Sequence, residues 1–185
     1  MVQLIWPAAG YLASYVQALE KGWCPRSNRP SAREEELAQI MNDPSGFLAE
    51  QIDTEGSGPP IVLPDGSTAL RLPSYRRWIW DGEVCDVIGF RWQPGTPTLP
   101  PECLGHIGYS VVPWKRRQGY ATRALALLLA DVGSTRLPYV ELTTDETNVA
   151  SRRVIEANGG LLIDSFTKPA SHGGGVGLRF RITLE

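Results

Sequence analysis

Apolar positions change their spacing at Gly119, and this change marks the most informative stretch of the sequence. Residues 106–112 are rich in β-branched and aromatic side chains, which is typical of a strand, and Pro113 would end it. After Gly119 the apolar side chains recur every three or four residues, which predicts a helix up to Gly133. The apolar stripe of this helix consists of Ala121, Ala124, Leu125, Leu128 and Val132. The pattern therefore predicts a strand, a glycine-containing turn and a helix in succession.

The same periodicities predict elements on both sides of this stretch. Further strands are expected at residues 2–6, 75–80, 83–92, 139–144, 161–166 and 178–184, and further helices at residues 7–22, 31–44 and 148–158. Asp81-Gly82 separates two of these strands and favours a hairpin, because the pair accepts the positive φ values of a tight turn. Residues 53–73 are rich in Gly, Pro and Ser and are predicted to form a long surface loop or insertion.

The strands at 106–112 and 139–144, with the helix between them, predict a βαβ unit. Strands joined in this way are parallel, and the crossover is right-handed. The whole chain has 185 residues, of which 42% are apolar, so we expect residues 1–185 to form one domain.

Composition and charge argue against several classes of function. The chain has 18 basic and 20 acidic residues, so it has no overall attraction for nucleic acid or for anionic lipid. No apolar run approaches the roughly 20 residues that span a bilayer, and the first residues lack a positively charged leader. Cys24, Cys85 and Cys103 are far apart and have no metal-like spacing. We therefore expect a cytoplasmic protein with reduced thiols, no metal and no membrane partner.

The basic turn 115–117 precedes the predicted helix and suggests a ligand. The first amides of a helix have no intrahelical acceptor and lie at the positive end of the helix dipole, which is an arrangement that binds phosphate. Arg116 and Arg117 would add charge-assisted contacts. The alternative interpretation is a solvated basic turn without a ligand.

Two segments of the chain resemble the GCN5-related N-acetyltransferase (GNAT) family. The spacing Arg116-x-x-Gly119-x-Ala121 is similar to the family's pyrophosphate loop, and Asn148-x-x-Ser151, which follows a strand, is similar to its second characteristic segment. The resemblance implies an α/β (α+β) fold with a mixed central β-sheet flanked by helices, in which the parallel βαβ unit forms the acetyl-CoA site. It also implies an enzyme that transfers acetyl groups from acetyl-CoA to an amine, with no metal.

The resemblance assigns residues to the acetyl-CoA site. The backbone of Arg117, Gln118, Gly119, Tyr120 and Ala121 would bind the pyrophosphate, with Arg116 beside it. The main chain of Ser110, Val111 and Val112 would pair with the pantetheine amides, and an N–H near Val111 would stabilise the developing oxyanion. Asn148 and Ser151 would contact the pantetheine arm; a simpler role for Asn148 is that of a helix cap.

Catalysis requires a group that takes a proton from the amine. His106 and Glu141 are the candidates, and His106 is equally consistent with a structural hydrogen bond. Many relatives carry a Tyr, which acts as a general acid, seven residues after the Asn that corresponds to Asn148; this chain has Ile155 there. Many also carry a Phe at the position of Gly160. Ser151, a water molecule or Tyr109 would then protonate the thiolate, unless no acid is needed.

Two functions follow from this interpretation. The first is an acetyl-CoA-dependent N-acetyltransferase acting on a small-molecule or peptide amine; the alternative is an acyl-CoA-binding sensor or regulatory module with little catalysis. A homodimer is possible for either. The Gly-rich segment 168–177, which contains His172, could fold over the acceptor.

Overall fold

A computed structural model of the chain describes residues 2–26, 29–62, 68–133 and 137–184. The helices are α1 (Ala9–Glu20), α2 (Ala32–Asn42), α3 (Pro44–Ala49), α4 (Tyr120–Val132) and α5 (Val149–Glu156). The strands are β1 (Gln3–Ile5), β2 (Ile52–Asp53), β3 (Ile61–Val62), β4 (Thr68–Ala69), β5 (Ser74–Trp80), β6 (Val84–Arg91), β7 (Ile107–Val111), β8 (Tyr139–Asp145), β9 (Leu161–Thr167) and β10 (Val176–Thr183). Within the described ranges, no helix is long and apolar enough to cross a membrane.

The first sheet has the strand order β1-β5-β6-β7, with β2 paired to β5, and all its pairings are antiparallel. Its two faces are covered by different helices. Leu125 and Leu128 of α4 pack with Ile88 in one buried cluster, whereas Tyr15 of α1 packs with Trp78 in another. The predicted α4 stripe and the predicted hairpin of β5 and β6 are both confirmed.

The second sheet has the order β8-β10-β9 and is also antiparallel. The helix and both strands of the predicted βαβ unit are present, but β7 and β8 lie at the edges of different sheets. In the described residues they are joined by a single main-chain hydrogen bond, 2.8 Å from the His106 N–H to the Glu141 carbonyl. The two strands therefore form no continuous ladder in the described residues, and the His106 imidazole accepts the Glu141 N–H at 3.0 Å from Nδ1.

The predicted loop at 53–73 contains some regular structure. Strands β3 and β4 form a short antiparallel pair in which Ile61 lies opposite Ala69. The carboxylate of Asp53 accepts a hydrogen bond of 2.9 Å from the amide of Ser57 and so folds the beginning of the segment. Positions 63–67 of this predicted loop lie outside the described residues.

Candidate active site

The unpaired edges of β7 and β8 border a cleft. The carbonyl of His106 and the N–H of Val112 bond to β6, at Arg91 and Cys85 respectively. Main-chain groups alternate in direction along a strand, so the polar groups of Ile107, Tyr109 and Val111 face the open edge of β7.

Three neighbouring residues at the end of β7 differ in their availability to a ligand. The amide of Ser110 bonds to the side chain of Asp86 at 2.8 Å. Val112 is fully buried, its N–H bonds to Cys85 and its carbonyl accepts from Lys115. By the alternation along the strand, the N–H of Val111 points to the open edge of β7 and not to β6. The main-chain groups of Val112 are thus engaged within the protein. Contact of Val111 and Val112 with a ligand stays a prediction.

The turn between β7 and α4 presents a series of free amides. None of the N–H groups of residues 117–122 has an acceptor in the described part of the chain, and the first amide of this region that does is that of Arg123, which bonds to the Gly119 carbonyl at 3.0 Å. Arg117 and Gly119 both adopt positive φ, of 61° and 81°. These left-handed residues turn the chain so that consecutive amides lie at the exposed start of α4, which is suited to an anion.

The three basic side chains of the turn have different environments. The ammonium of Lys115 lies 2.8 Å from a carboxylate oxygen of Asp81 and 3.0 Å from Glu83, so it is committed to the β5–β6 turn. Tyr120 donates a short hydrogen bond to the same Asp81 oxygen. Although burial acts in the opposite direction, hydrogen bonds from Lys115 and Tyr120 hold the pKa of Asp81 well below its usual range. Arg116 donates to the Val111 carbonyl at 3.2 Å, and its side chain is exposed, as is that of Arg117.

Helix α5 brings two hydroxyl groups together. Asn148 caps the helix by accepting the Ser151 N–H at 3.1 Å, as predicted. The Oγ of Ser151 lies 2.8 Å from the hydroxyl of Tyr109 on β7. Burial raises the pKa of Tyr109 to about 12, so its hydroxyl keeps its proton at neutral pH. The pair is therefore a neutral proton donor between the two strand edges.

His106 is fully buried, between β7 and β8. Its Nδ1 accepts the Glu141 N–H, so its lone pair there is engaged, and the proton of the neutral ring is on Nε2. Burial lowers the pKa of His106 despite the nearby Glu141. These contacts are those of a residue that joins the two sheets.

Glu141 is buried on β8 and is held by two arginines of β10. Its carboxylate accepts hydrogen bonds of 3.2 Å from Arg179 and 2.6 Å from Arg181. The structure thus places Glu141 near His106 in space but in a separate ionic network.

The two departures from the family pattern are packed against each other. Ile155 is buried in the core next to α4 and also lines the cleft. A β-carbon at Gly160 would lie 2.3 Å from the Cγ2 of Ile155 and 2.8 Å from its carbonyl oxygen. The absence of a side chain at Gly160 therefore permits the position of Ile155.

A cavity of about 700 Å³ occupies the cleft. Tyr109, Asn148 and Ser151 line one part of it, and the arginines 26, 76 and 91 line another. His172, at the end of the short helical turn Ala170–His172, also lines the cavity and is held by a 3.1 Å contact between its Nε2 and the carbonyl of Glu102. The Gly-rich segment therefore does border the cleft.

Asp86 and the cleft arginines are the features that the sequence does not reveal. Asp86 is wholly buried, its Oδ1 accepts the amides of Val87 and Ser110, and its Oδ2 has no partner among the described residues. Burial, opposed by these two amides, raises the pKa of its carboxyl well above the usual value. An aspartate within a strand gives no sequence signal of this environment. The described residues contain no cluster of three or more His, Cys, Asp or Glu side chains that would hold a metal ion.

A comparison with known families decides the classification. The model of the acetyltransferase (GNAT) domain matches residues 68–160, which include the hairpin, the basic turn and α5. The chain belongs to the GNAT acetyltransferase family. The N-acetyltransferase class implied by the resemblance is thereby confirmed. A search of the curated proteins finds no match to this sequence.

Solved GNAT structures share the fold over almost their whole length. RimL, a ribosomal L7/L12 alpha-N-protein acetyltransferase in complex with coenzyme A, has a TM-score of 0.63 at 13% identity and covers 99% of this chain and 94% of its own. The microcin C7 self immunity acetyltransferase MccE, in complex with acetyl-CoA and AMP, has a TM-score of 0.58 at 13% identity. The match covers 99% of this chain and 92% of MccE. The ribosomal-protein-S5-alanine acetyltransferase from Vibrio fischeri has a TM-score of 0.57 at 14% identity. The match covers 100% of this chain and 92% of that protein. At these identities the likeness concerns the fold alone.

Proposed function

We propose that this GNAT protein catalyses direct transfer of the acetyl group of acetyl-CoA to a primary amine in the cleft between β7 and β8. The observation that carries the proposal is the hydroxyl pair of Tyr109 and Ser151, which links the two sides of a cavity of about 700 Å³. Because β7 has no partner strand along this edge within the described part of the chain, its polar groups are available to a bound molecule.

The residues present fit acetyl-CoA. The free amides of 117–122 bind its pyrophosphate, and Arg116 and Arg117 lie beside them. The open edge of β7 supplies the main-chain groups of Tyr109 and Val111 for the amides of the pantetheine arm. Asn148 uses its Oδ1 for the helix cap, which leaves its Nδ2 to donate to the ligand. When bound, acetyl-CoA supplies an acetyl group activated as a thioester.

Three groups of the chain then act on the reaction. The Val111 N–H donates to the carbonyl oxygen as that oxygen gains negative charge. The paired hydroxyls of Ser151 and Tyr109 deliver a proton to the departing sulfur, in place of the tyrosine that the family often has at position 155. The chain has two histidines, and His172 is the one that lines the cleft, so we assign to it the acceptance of the proton that the amine loses.

The alternative function, a binding module with little turnover, rests on the absence of a tyrosine at position 155. The Tyr109–Ser151 pair supplies a proton donor by another route and so favours the enzyme. The deciding experiment measures thiol release from acetyl-CoA over a panel of amines and identifies the acetylated product by mass spectrometry. Binding of acetyl-CoA without acetylation of any amine would support the binding module.

A further inference from the structure

Three arginines form a positively charged boundary beside the reaction cleft. A second cavity, of about 660 Å³, shares Arg26, Arg76 and Arg91 with the first. Arg76 comes from β5, Arg91 from the end of β6, and Arg26 from the segment after α1. These elements are far apart in sequence, and folding brings their guanidinium groups together.

Two glycines form the floor beneath this boundary. Arg76, Gly89 and Gly108 lie opposite one another across β5, β6 and β7, so they share one face of the sheet. A β-carbon at Gly108 would lie 3.5 Å from an Arg91 guanidinium nitrogen, and one at Gly89 would lie 3.4 Å from the Cγ of Arg76. The absence of side chains at these two positions lets both arginines extend over this face of the sheet, beside the strand that carries Tyr109.

The three arginines of this boundary carry more positive charge than the nearby carboxylate compensates. Glu36 is buried and lies 3.2 Å from Arg76 and 4.0 Å from Arg26. The same carboxylate also accepts the Tyr15 hydroxyl at 2.5 Å. No carboxylate of the described residues lies within ion-pair distance of Arg91. Desolvation and the charge of Arg76 lower the pKa of Arg26 to about 10, which is consistent with crowding of like charges. The guanidiniums of Arg76 and Arg26 thus share one carboxylate beside the cleft, and that of Arg91 has none among the described residues.

We propose that the amine acceptor carries an anionic group, a carboxylate or a phosphate, which binds to Arg91 with Arg76 and Arg26 beside it. This inference rests on the proposed function, because it places the acceptor's amine at the Tyr109–Ser151 pair. An arginine fork fits either anion, since both present paired oxygens. Binding there neutralises charges that the protein leaves uncompensated and orients the amine towards the cleft.

The test compares pairs of amines in which one member carries an anionic group and the other is its neutral counterpart. The pairs are 4-aminobutyrate with 4-aminobutanamide for carboxylate, and O-phosphoethanolamine with ethanolamine for phosphate. For each, kcat/KM is measured with wild-type protein and with Arg91→Gln, Arg91→Lys and Arg33→Gln. Arg33 is the matched control, because it pairs with Glu34 outside both cavities. We expect the wild type to have a higher kcat/KM for one anionic amine than for its neutral counterpart. Arg91→Gln should lower the kcat/KM for that anionic amine about tenfold or more. Arg91→Lys should recover part of the loss, and Arg33→Gln should have no effect.

The outcomes separate the inference from the function on which it rests. If neutral amines react as well as anionic ones, or if Arg91→Gln leaves the preference unchanged, the inference is overturned and the N-acetyltransferase assignment stands. If no amine reacts although acetyl-CoA binds, the proposed function fails. In that case calorimetry with the same amine pairs decides the inference: tighter binding of an anionic member, lost in Arg91→Gln, supports it, and equal binding refutes it.

Discussion

The hydroxyl of Tyr109 lies 2.8 Å from the Oγ of Ser151, although the two residues are 42 positions apart. The contact connects the edge strand of one sheet with the helix that follows the edge strand of the other. It thereby places a shared proton where the two sheets separate.

Removing either hydroxyl should slow catalysis without weakening cofactor binding. We expect Tyr109→Phe and Ser151→Ala each to lower kcat about tenfold to a hundredfold, because proton delivery to the sulfur is lost. The KM for acetyl-CoA should change little. Tyr11→Phe is the control, since it deletes a hydroxyl on α1 outside both cavities. Rates are measured by thiol release, and equal kcat values for all variants would rule out a role for the pair.

Gly119 is expected to be needed for binding of the cofactor phosphate. Gly119→Val should weaken acetyl-CoA binding about tenfold or more, because a β-branched residue at φ +81° displaces the amides of the turn. Gly95→Val is a matched control: Gly95 has φ +78°, and a β-carbon at either glycine would have no atom within 4 Å. Calorimetry gives the affinities, and an equal effect of the two substitutions would mean that strain alone is responsible.

His106 is expected to contribute to stability, with a defined pH dependence. His106→Ala leaves the Glu141 N–H without its acceptor, at a cost of about 1–3 kcal/mol in the free energy of unfolding. Because burial lowers the pKa of His106, the unfolded chain binds the proton more tightly than the folded one. The wild type should therefore lose stability as the pH falls below about 6.5, and the variant should lose less. Urea unfolding at several pH values measures how the free energy of unfolding of each protein changes with pH. The wild type and the variant should change equally if the imidazole is not buried.

The two histidines should have separable effects on the kinetics. His172→Gln is expected to lower kcat/KM about a hundredfold, because the group assigned to accept the proton of the amine is lost. His106→Ala should leave kcat/KM unaltered at temperatures where the variant remains folded. The reverse result would return the base assignment to His106.

Asp86 should have the opposite pH dependence of stability. Its raised pKa means that the folded state binds the proton more tightly, so this group's contribution to stability falls as the pH rises above about 3.9. Asp86→Asn keeps an oxygen for the amides of Val87 and Ser110 and cannot ionise. We expect the variant to gain stability relative to wild type between pH 5 and pH 8, in urea unfolding. Asp164→Asn, at an exposed position of β9, should show no such change.

The elements that could be predicted from sequence depend on local physics. The α4 stripe, the β5–β6 hairpin and the Asn148 cap each involve residues close together in sequence, and all three are present. Of the pair Asp81-Gly82, only Gly82 adopts the expected positive φ, of 124°. The junction of the two sheets includes the imidazole of His106, which accepts a backbone N–H 35 positions away, and no periodicity encodes such a contact. The arginine boundary likewise joins three distant segments, and each arginine alone is typical of a solvated surface.

The gap between the two sheets also affects the lifetime of the protein. Unpaired strand edges are sites at which chains pair with one another and aggregate. A ligand that lies along both edges covers them and stabilises the fold by mass action, by about 2.7 kcal/mol at a hundred times its dissociation constant. The abundance of the folded protein should then depend on the supply of acetyl-CoA, so that a cell poor in this metabolite would retain less of the enzyme that consumes it.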